Sequence, residues 1–483
     1  MTKAVLAIDM GTTNVRSMIV GDDGRVIGWD VMGQKLDYPA PGLVEFDPEW
    51  MWHCVEQTRK NAMDEARISV DDLVAIGVTG QRSSIIVWDR ANGRSVAPGV
   101  SWQDQRGGPR ALELLAQGFL VNAAAAASKL ESVLDAIPDG RRRMARGELA
   151  WGNVDSFALW RLSGGKVHAT DCSNACTTGY YDPMNNTWNP ALLDFQKIDI
   201  KFFPQIVDTS GHVGNTDKHV FGREVPITAI IGDQQSSAYA QGCLKAGECK
   251  ITFGTSVTLN INTGDEIILS ALDKGIYPLV LWRRQGMMTY CLEGMVHTGG
   301  AVFAWLERGL NLVKDVSELA GLAGSVPDSN GVFFLPSLQG DRTTDPGVSR
   351  NGVISGLTLG ATKAHIIRAA MEGVCFQVRQ LIDLVYETVA LPRPLCFRCD
   401  GGAAANDVLM QLQANILGSD VQCMPHLEST AYGAALLAGE AVGLWHQDKE
   451  LADLRKAQRI FKPAWTDGER EEKFRQWRFM CGV

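Results

Sequence analysis

Short apolar strands that run into turns rich in glycine and hydroxyl groups occur in both halves of the chain. This pattern restricts the possible folds more than any other feature of the sequence. In the first half, the apolar stretch 4–8 leads into the polar turn 9–14. In the second half, the stretch 249–253 leads into the similar turn 254–256. A strand that stops at such a turn presents backbone amides and hydroxyls at the edge of a sheet.

Helical segments alternate with short apolar strands between these two turns. Residues 50–67 predict a helix, and residues 73–78 predict a buried strand. Another apolar stretch, 227–232, ends at Asp233. The alternation predicts α/β architecture.

The length of the chain predicts two domains, because 483 residues exceed what one hydrophobic core usually supports. The strand that ends at Asp233, followed by the second glycine turn, loosely repeats the beginning of the chain. We therefore expect an N-terminal domain over residues 1–241 and a C-terminal domain over residues 242–483. A cleft is expected between them.

Composition excludes several classes of protein. Hydrophobic residues make up 45% and charged residues 21%, which is typical of globular proteins rather than of disordered or membrane proteins. The net charge of -9 argues against a nucleic-acid or anionic-membrane surface. The first residues lack the layout of a signal peptide, and no apolar run is long enough to span a bilayer, so we expect a cytoplasmic protein. Among 11 cysteines, Cys396 and Cys399 have the spacing of a redox or zinc half-site, but their apolar surroundings favour reduced packing thiols.

The first turn could bind phosphate. Backbone amides and hydroxyls of a glycine turn can surround phosphate oxygens, and the carboxylate of Asp9 can hold magnesium directly or through water. The alternative is a solvated hairpin tip that merely tolerates these residues. The turn by itself does not decide between the two interpretations.

Two later turns have similar properties. One contains Gly254 and Thr255, and the other runs from Asp400 through Gly402 to Asn406. Small residues permit a close approach of backbone to ligand, and a helix beginning near Asn406 would direct its N-terminus at an anion. The alternative for the third turn is a tightly packed junction of strand and helix. It matches neither the Walker sequence nor the dinucleotide fingerprint.

Asp233 is the strongest candidate for chemistry. A carboxylate at the end of a buried strand can accept a proton from a hydroxyl that attacks a γ-phosphate. An aspartate here could instead cap the following helix. Gln81, Arg82 and Trp102 follow other strand ends and offer the donors, acceptors and flat apolar face that a sugar site needs. Surface loops and core tryptophans use the same residue types.

Together these stretches resemble the FGGY carbohydrate kinases, and among them the glycerol kinases, over nearly the whole chain. The matching stretches, in the order of that family, are 9–16, 81–82, 102–103, 152–160, 232–235, 253–255, 293–294, 352–357, 365–372 and 400–406. Each stretch alone is short, but their shared order is specific.

The resemblance implies two actin-like, ribonuclease H-like ATPase domains that close over ATP, Mg²⁺ and a small polyhydroxy substrate. It implies Asp233 as general base, with Asp9 and Asp233 organising magnesium. The residues implied in binding the nucleotide and its phosphates are Gly11, Thr12, Thr13, Asn14, Arg16, Gly254, Thr255, Gly300, Gly402 and Asn406. Those implied in binding the sugar or polyol are Gln81, Arg82, Trp102 and Gln234. A homodimer or homotetramer would be usual for this family.

The sequence departs from the glycerol kinase pattern at three places. Ser83 stands where those enzymes have a carboxylate, residues 124–126 are alanines where they have aromatic side chains, and Thr258 stands where they have phenylalanine. Each change removes bulk or adds polarity. The departures predict an acceptor larger or more polar than glycerol, such as a tetritol, pentitol or ketopentose.

Two functions other than that of a kinase are compatible with this fold. A sugar-binding regulator of the same fold would not need the base Asp233 together with three phosphate turns. An actin-like or chaperone-like ATPase would use water as acceptor, and Gln81, Arg82 and Trp102 favour a sugar instead. The sequence therefore favours a kinase.

Overall fold

The computed structural model describes residues 3–270, 272–339, 351–424, 428–446 and 450–483. Strands and helices alternate along the chain, which confirms the α/β class. The strands of the first half, β1 to β15, are Ala4–Met10, Asn14–Gly21, Val26–Gly33, Leu36–Asp37, Glu45–Phe46, Leu73–Gly80, Ile86–Asp89, Gly99–Val100, Leu149–Gly152, Ala169–Asp171, Tyr181–Asp182, Thr187–Trp188, Gln205–Val207, Ser210–Asn215 and Pro226–Gly232. The strands β16 to β24 are Cys249–Phe253, Val257–Gly264, Tyr277–Arg284, Met287–Val296, Phe333–Leu335, Val353–Ser355, Cys396–Asp400, Asp420–Cys423 and Arg459–Phe461.

The helices lie between these strands. In chain order, α1 to α16 are Pro48–Ala66, Gly108–Ala116, Leu130–Ala136, Gly140–Ala145, Val154–Leu162, Cys172–Ala175, Pro190–Gln196, Lys218–Phe221, Asp233–Ala240, Ala301–Arg308, Glu318–Gly324, Lys363–Thr388, Asp407–Leu417, Ser429–Ala441, Glu450–Leu454 and Asp467–Cys481. The helix predicted over 50–67 is α1, and the strand predicted over 73–78 is β6. Each helix within the described residues is too short or too polar to span a bilayer.

The chain folds into two units. The first comprises Met1–Ala240, Leu279–Thr289 and Thr430–Leu454, and the second comprises Gln241–Pro278, Tyr290–Ser429 and Arg455–Val483. The first unit therefore includes two segments that come after residue 241. The assignment of a separate binding role to residues 1–241 and 242–483 stays a prediction.

The first unit is built on a sheet with the strand order β18-β14-β15-β6-β1-β2-β3. At its centre, β1, β6 and β15 run parallel to one another, whereas β2 is antiparallel to β1. Every residue of β1 is buried, as expected for a parallel strand covered on both faces. The core of this unit includes Trp52, Val78 and Phe157.

Helix α14 closes one side of the first unit, although it comes from late in the chain. The hydroxyl of Thr228 on β15 donates to the carbonyl of Ala438, 3.0 Å away. A Cβ atom on Gly77 would lie 2.3 Å from the carbonyl oxygen of Ala434, so that only glycine permits this approach of β6 to the helix. The segment that carries α14 is thus an integral part of the first unit.

In the second unit, the strand order is β24-β23-β22-β16-β17-β19. Strand β16 is antiparallel to β17 and parallel to β22. The long helix α12 and helix α13 bury apolar side chains such as Met371 and Leu412 in the core of this unit. Cys399 is buried in β22, as predicted, and burial raises the pKa of its thiol.

Candidate active site

Three parallel strands of the first unit end together. The last residue of β6, Gly80, is in register with Met10 at the end of β1 and with Gly232 at the end of β15. Because the three strands are neighbours and point the same way, the residues that follow them share one edge of the sheet. This edge carries the first glycine turn, Arg82 and Asp233.

Asp233 begins helix α9 directly after β15. Its Oδ1 accepts a hydrogen bond from the Nε–H of Arg82 at 3.2 Å and one from the backbone N–H of Gln234 at 2.7 Å. The Asp233 side chain is 26% exposed and that of Arg82 is 13% exposed. A carboxylate that only capped the helix would not need the guanidinium, and this one remains open to solvent.

Gly232 allows the ion pair to form. A Cβ atom at this position would lie 2.8 Å from Cδ of Arg82, which is closer than side chains tolerate. The absence of a side chain lets the Arg82 stem pass over the end of β15. The glycine before Asp233 therefore has a packing reason in addition to any contact with ligand.

Trp102 is fixed to the first glycine turn. Its indole Nε1–H donates to Thr12 Oγ1 at 3.0 Å, and that hydroxyl lies 3.3 Å from Oε1 of Gln81, to which it donates. The hydroxyl of Ser84 donates to the same Oε1 at 3.0 Å and accepts from the backbone N–H of Trp102 at 3.2 Å. This closed set of hydrogen bonds sets the position of the aromatic ring.

Gln81 lies at the centre of that set and is only 1% exposed. Its amide oxygen accepts hydrogen bonds from the hydroxyls of Thr12 and Ser84, so Gln81 fixes the positions of these two side chains. Contact of Gln81 with a substrate stays a prediction. Ser84 itself was missed by the sequence reasoning, since a serine in a loop carries no distinctive signal.

The turn between β1 and β2 is compact. The backbone N–H of Gly11 donates to the carbonyl of Asn14 at 2.9 Å, and the amide of the Asn14 side chain donates to Thr13 Oγ1 at 3.3 Å. Thr13 is exposed. Behind the turn, the guanidinium of Arg16 lies 3.5 Å from the carboxylate of Asp9. A hydroxyl-bearing tip with a cation and a carboxylate behind it suits a phosphate group and a hard metal ion.

The chemistry of these carboxylates fits magnesium. Mg²⁺ is usually held by one or two carboxylates together with phosphate oxygens and water, rather than by a cage of protein ligands. Within the residues that the structure describes, no group of three or more acidic, histidine or cysteine side chains could hold a metal by itself. Asp9, near the end of β1, and Asp233, directly after β15, lie at the same edge of the sheet on either side of β6, and their carboxylates are oxygen donors of the kind that such a shared site requires.

In the second unit, the turn after β16 packs tightly against the start of α10. The backbone N–H of Gly300 donates to the carbonyl of Gly254 at 2.7 Å, and the backbone N–H of Gly299 donates to the carbonyl of Thr255 at 2.9 Å. A Cβ atom on Gly300 would lie 2.7 Å from the same carbonyl oxygen. The pair of glycines therefore allows the helix N-terminus to reach the turn.

The third turn lies beside the second because β22 is parallel to β16, with Asp400 in register with Thr252. Gly401 has a φ of +88°, and a Cβ atom there would meet the carbonyl of Phe253 at 2.6 Å. Gly402, in contrast, is exposed, and a Cβ atom there would meet nothing within 4 Å. Gly401 is thus explained by packing, whereas the space at Gly402 is open for a ligand.

Helix α13 begins directly after this turn, as predicted. Oδ1 of Asn406 accepts from the backbone N–H of Leu409 at 3.1 Å, which makes Asn406 the N-cap. The carboxylate of Asp400 accepts hydrogen bonds from Thr252, at 2.5 Å, and from Ser429. Asp400 therefore braces the turn from within the fold, a role that the sequence pattern did not reveal.

The three departures from the glycerol kinase pattern differ in their surroundings. Ser83 has a left-handed backbone, with a φ of +62°, and its hydroxyl donates to the carbonyl of Thr177 at 2.7 Å. Ala125 and Ala126 are buried in packed protein, and Thr258 is buried on β17. The two alanines are buried, so the missing bulk does not open a space to solvent there.

Lys129 supports the loop that carries Trp102. It is fully buried, and its Nζ donates to the carbonyl of Ser101 at 3.0 Å. Burial lowers the pKa of Lys129 to about 8, and the nearby carboxylate of Asp104 opposes that shift. The residue before Trp102 is thus anchored by a buried amine.

The fold and the site together define a carbohydrate kinase of α/β type. Residues 4–240 match the N-terminal domain of the FGGY family of carbohydrate kinases, and residues 249–442 match the C-terminal domain of that family. The chain belongs to the FGGY family of carbohydrate kinases. It is a phosphotransferase with an alcohol group as acceptor, and the family implies ATP as the phosphoryl donor.

Similar proteins cover almost the whole chain. The glycerol kinase of Aromatoleum aromaticum is 38% identical over 98% of this chain and 97% of its own length. The glycerol kinase of Dechloromonas aromatica is 38% identical over 98% of this chain and 96% of its own length. These relatives do not support an acceptor larger than glycerol.

Solved structures share the fold. The crystal structure of Plasmodium falciparum glycerol kinase with ADP has a TM-score of 0.89 and 26% identity, covering 99% of this chain and 97% of that one. The gluconate kinase from Lactobacillus acidophilus has a TM-score of 0.84 and 21% identity, covering 100% of this chain and 97% of that one. The predicted fold, two α/β units of the actin-like type, is confirmed.

Proposed function

We propose that this chain transfers the γ-phosphoryl group of ATP to a hydroxyl group of a small polyol, with Asp233 as the base. The observation that carries the proposal is the carboxylate of Asp233 at the end of β15, partly exposed and held by Arg82 at 3.2 Å. A carboxylate in this state is held in one orientation and is accessible, and a base that takes a proton from a hydroxyl needs both properties.

The proposed reaction is a direct transfer of the phosphoryl group to the hydroxyl oxygen. The hydroxyl proton passes to Asp233 while the hydroxyl oxygen forms a bond to the γ-phosphorus and the bond from that phosphorus to ADP breaks. Arg82 keeps the carboxylate in one orientation, and the ring of Trp102, tied to Thr12, offers an apolar face for the C–H groups of the acceptor. Gln234, next to Asp233, is proposed as a further acceptor contact.

The first glycine turn is proposed to receive the transferred phosphoryl group. Gly11, Thr12, Thr13 and Asn14 would contribute amides and hydroxyls, and Arg16 would add positive charge. Asp9 and Asp233 would hold Mg²⁺ together with ATP phosphates and water, and the ion would supply charge against the phosphate oxygens.

The nucleotide is proposed to bind the turns of the second unit. The open space at Gly402 and the N-terminus of α13 at Asn406 would accommodate part of it, and Gly254, Thr255 and Gly300 would line its other side. Residues 1–241 would then bind the polyol, and residues 242–483 the nucleotide. A homodimer or homotetramer in the cytoplasm stays a prediction.

The acceptor is proposed to include glycerol, because the similar proteins described above are glycerol kinases. Ser83 stands where glycerol kinases have a carboxylate, and its hydroxyl donates to the carbonyl of Thr177, so position 83 supplies no acidic group that would select glycerol. We therefore propose that a tetritol, pentitol or ketopentose is phosphorylated as well. A Ser83→Glu variant should shift the ratio of kcat/KM values toward glycerol, and an unchanged ratio would contradict this assignment.

A coupled assay of ADP release with and without each polyol tests the function. Asp233→Asn should reduce polyol-dependent turnover by about 10²- to 10⁴-fold, because a general base is lost. Asp208→Asn is the matched control, since Asp208 is similarly exposed and pairs with Arg283 at 2.8 Å in the same unit. Near-normal transfer by Asp233→Asn would reject the proposal. Turnover without any polyol would indicate an ATPase, and binding without turnover a sensor.

A further inference from the structure

Asp171, at the end of β10, is a buried carboxylate for which the proposed reaction has no direct use. It is 0% exposed. Its Oδ1 accepts from the Ser173 hydroxyl at 2.9 Å and from the backbone and side-chain N–H groups of Asn174 at 3.0 and 2.9 Å. Its Oδ2 accepts from the backbone N–H of Ser173 at 3.1 Å and from the Thr209 hydroxyl at 2.7 Å. Burial raises the pKa of Asp171, and these donors oppose that shift.

Ser173 connects this carboxylate to the strand that ends at Asp233. The backbone N–H of Gly232 donates to Ser173 Oγ at 2.9 Å, while the same hydroxyl donates to Asp171. Two residues earlier, the N–H of Ile230 donates to the carbonyl of Thr209 at 3.0 Å. Alternate N–H groups of a strand point to the same side. The N–H of Gly232 is the next on that side after the N–H of Ile230, and it donates to the Ser173 hydroxyl instead of to a backbone carbonyl.

A second branch reaches the partner of Asp233. The Thr177 hydroxyl donates to the carbonyl of Asn174 at 3.0 Å, and the carbonyl of Thr177 accepts from the Ser83 hydroxyl at 2.7 Å. Ser83 follows Arg82 directly. The short segment around Asp171 therefore holds the backbone beside both members of the ion pair between Arg82 and Asp233.

We propose that Asp171 and Ser173 are positioning residues that set the orientation of Asp233 relative to Arg82. The inference rests on the proposed role of Asp233 as base. Both residues are 0% exposed, so neither can touch the substrate, and they act through the backbone of Gly232. A fully connected buried polar network is suited to this work because each member has few alternative geometries.

The test compares two buried serines in the intact chain. Ser173→Ala removes the acceptor for the N–H of Gly232. Ser163→Ala is the matched control, because Ser163 is also 0% exposed and its hydroxyl accepts from the backbone N–H of Val167 at 2.9 Å, away from the site. Ser173→Ala should lower kcat by about 10- to 100-fold and leave the KM for ATP within about twofold, whereas Ser163→Ala should leave both within about twofold.

Ser173→Thr, which retains the hydroxyl, should recover most of the lost kcat. Circular dichroism and the unfolding temperature establish that each variant is folded. If Ser173→Ala fails to fold, it is replaced in the test by Asp171→Asn, which keeps the shape of the side chain. The same loss of kcat is then expected of Asp171→Asn. A folded Ser173→Ala with kcat within about twofold of the parent, or an equal loss in Ser163→Ala, would overturn the inference.

Asp233→Asn, measured in parallel, separates this inference from the function on which it rests. Full activity in Asp233→Asn rejects the proposed base. Loss of activity in Asp233→Asn together with normal activity in Ser173→Ala rejects only the positioning role.

Discussion

Arg82 and Asp233 are 151 residues apart in the chain, and the Nε–H of the arginine donates to the carboxylate of the aspartate across 3.2 Å. The parallel register of β6 with β15 brings them together, since each residue closely follows the end of its strand. The side chain proposed as the base is therefore oriented by a cation that follows a neighbouring strand.

Replacing Arg82 with lysine should reduce kcat, although the charge is kept. Lysine has no donor at the Nε position of arginine and no planar fork, so the carboxylate of Asp233 would lose its fixed orientation. We expect a loss of about 10- to 100-fold in kcat. Steady-state kinetics with saturating ATP and polyol measures it. Arg283→Lys, in the comparable pair with Asp208, should show no such loss.

Trp102→Phe should weaken use of the acceptor. Phenylalanine keeps an aromatic face but lacks the Nε1–H that donates to Thr12 at 3.0 Å. Losing one such hydrogen bond costs about 1 kcal/mol, which corresponds to a roughly fivefold lower kcat/KM for the polyol. Trp50→Phe is the control, because its indole donates to the carbonyl of Gly33 outside the site. Equal effects in both variants would contradict a specific role for Trp102.

Two glycines of the second unit should respond differently to alanine. Gly300→Ala places a Cβ atom 2.7 Å from a backbone carbonyl, so we expect a loss of about 1–3 kcal/mol in the free energy of unfolding. Gly402→Ala meets nothing within 4 Å, so its unfolding free energy should change by less than about 0.5 kcal/mol.

The KM for ATP distinguishes an effect on nucleotide binding from an effect on stability. If ATP uses the open space at Gly402, the KM for ATP should rise in Gly402→Ala despite unchanged stability. Gly321→Ala, which also has no atom within 4 Å, serves as control. An unchanged KM for ATP in Gly402→Ala would remove the third turn from the nucleotide site. Chemical denaturation and initial-rate kinetics supply both measurements.

Lys129 should make stability depend on pH above neutrality. In the unfolded chain a lysine holds its proton up to about pH 10.5, whereas burial lowers the pKa of Lys129 to about 8. Between these two pH values the unfolded chain binds more protons than the folded protein. The free energy of unfolding therefore increases as the pH rises. Relative to Lys129→Met, the parent should gain about 1 kcal/mol between pH 7 and pH 9. Lys60→Met, at an exposed position of α1, should show no such difference.

Much of the fold follows from local patterns in the sequence. The apolar runs that became β1 and β6 are buried on both faces, so a continuous apolar stretch was a sufficient signal. The helix after Trp50 was equally clear, although its start at Pro48 is set by the capping carboxylate of Asp47, which accepts from the N–H of Glu49 at 2.8 Å. Local chemistry encodes these elements.

Long-range relationships were not readable in this way. The sequence of residues 430–454 does not indicate that they pack in the first unit, because the apolar pattern of a helix does not identify the surface against which it packs. Asp400 fits a phosphate turn in sequence, but in the folded chain its carboxylate accepts hydrogen bonds from Thr252 and Ser429. Asp171 and Ser173 were missed because buried polar side chains look like ordinary loop residues until their partners are known.

The return of α14 to the first unit has a consequence for synthesis on the ribosome. Thr228 and Gly77 find their partners on a helix that is synthesised much later, since Ala438 follows Thr228 by 210 residues. Until then, the sheet around β6 and β15 lacks one of its covering helices and exposes apolar surface. The nascent chain must therefore keep its first unit incomplete while most of the second unit is made.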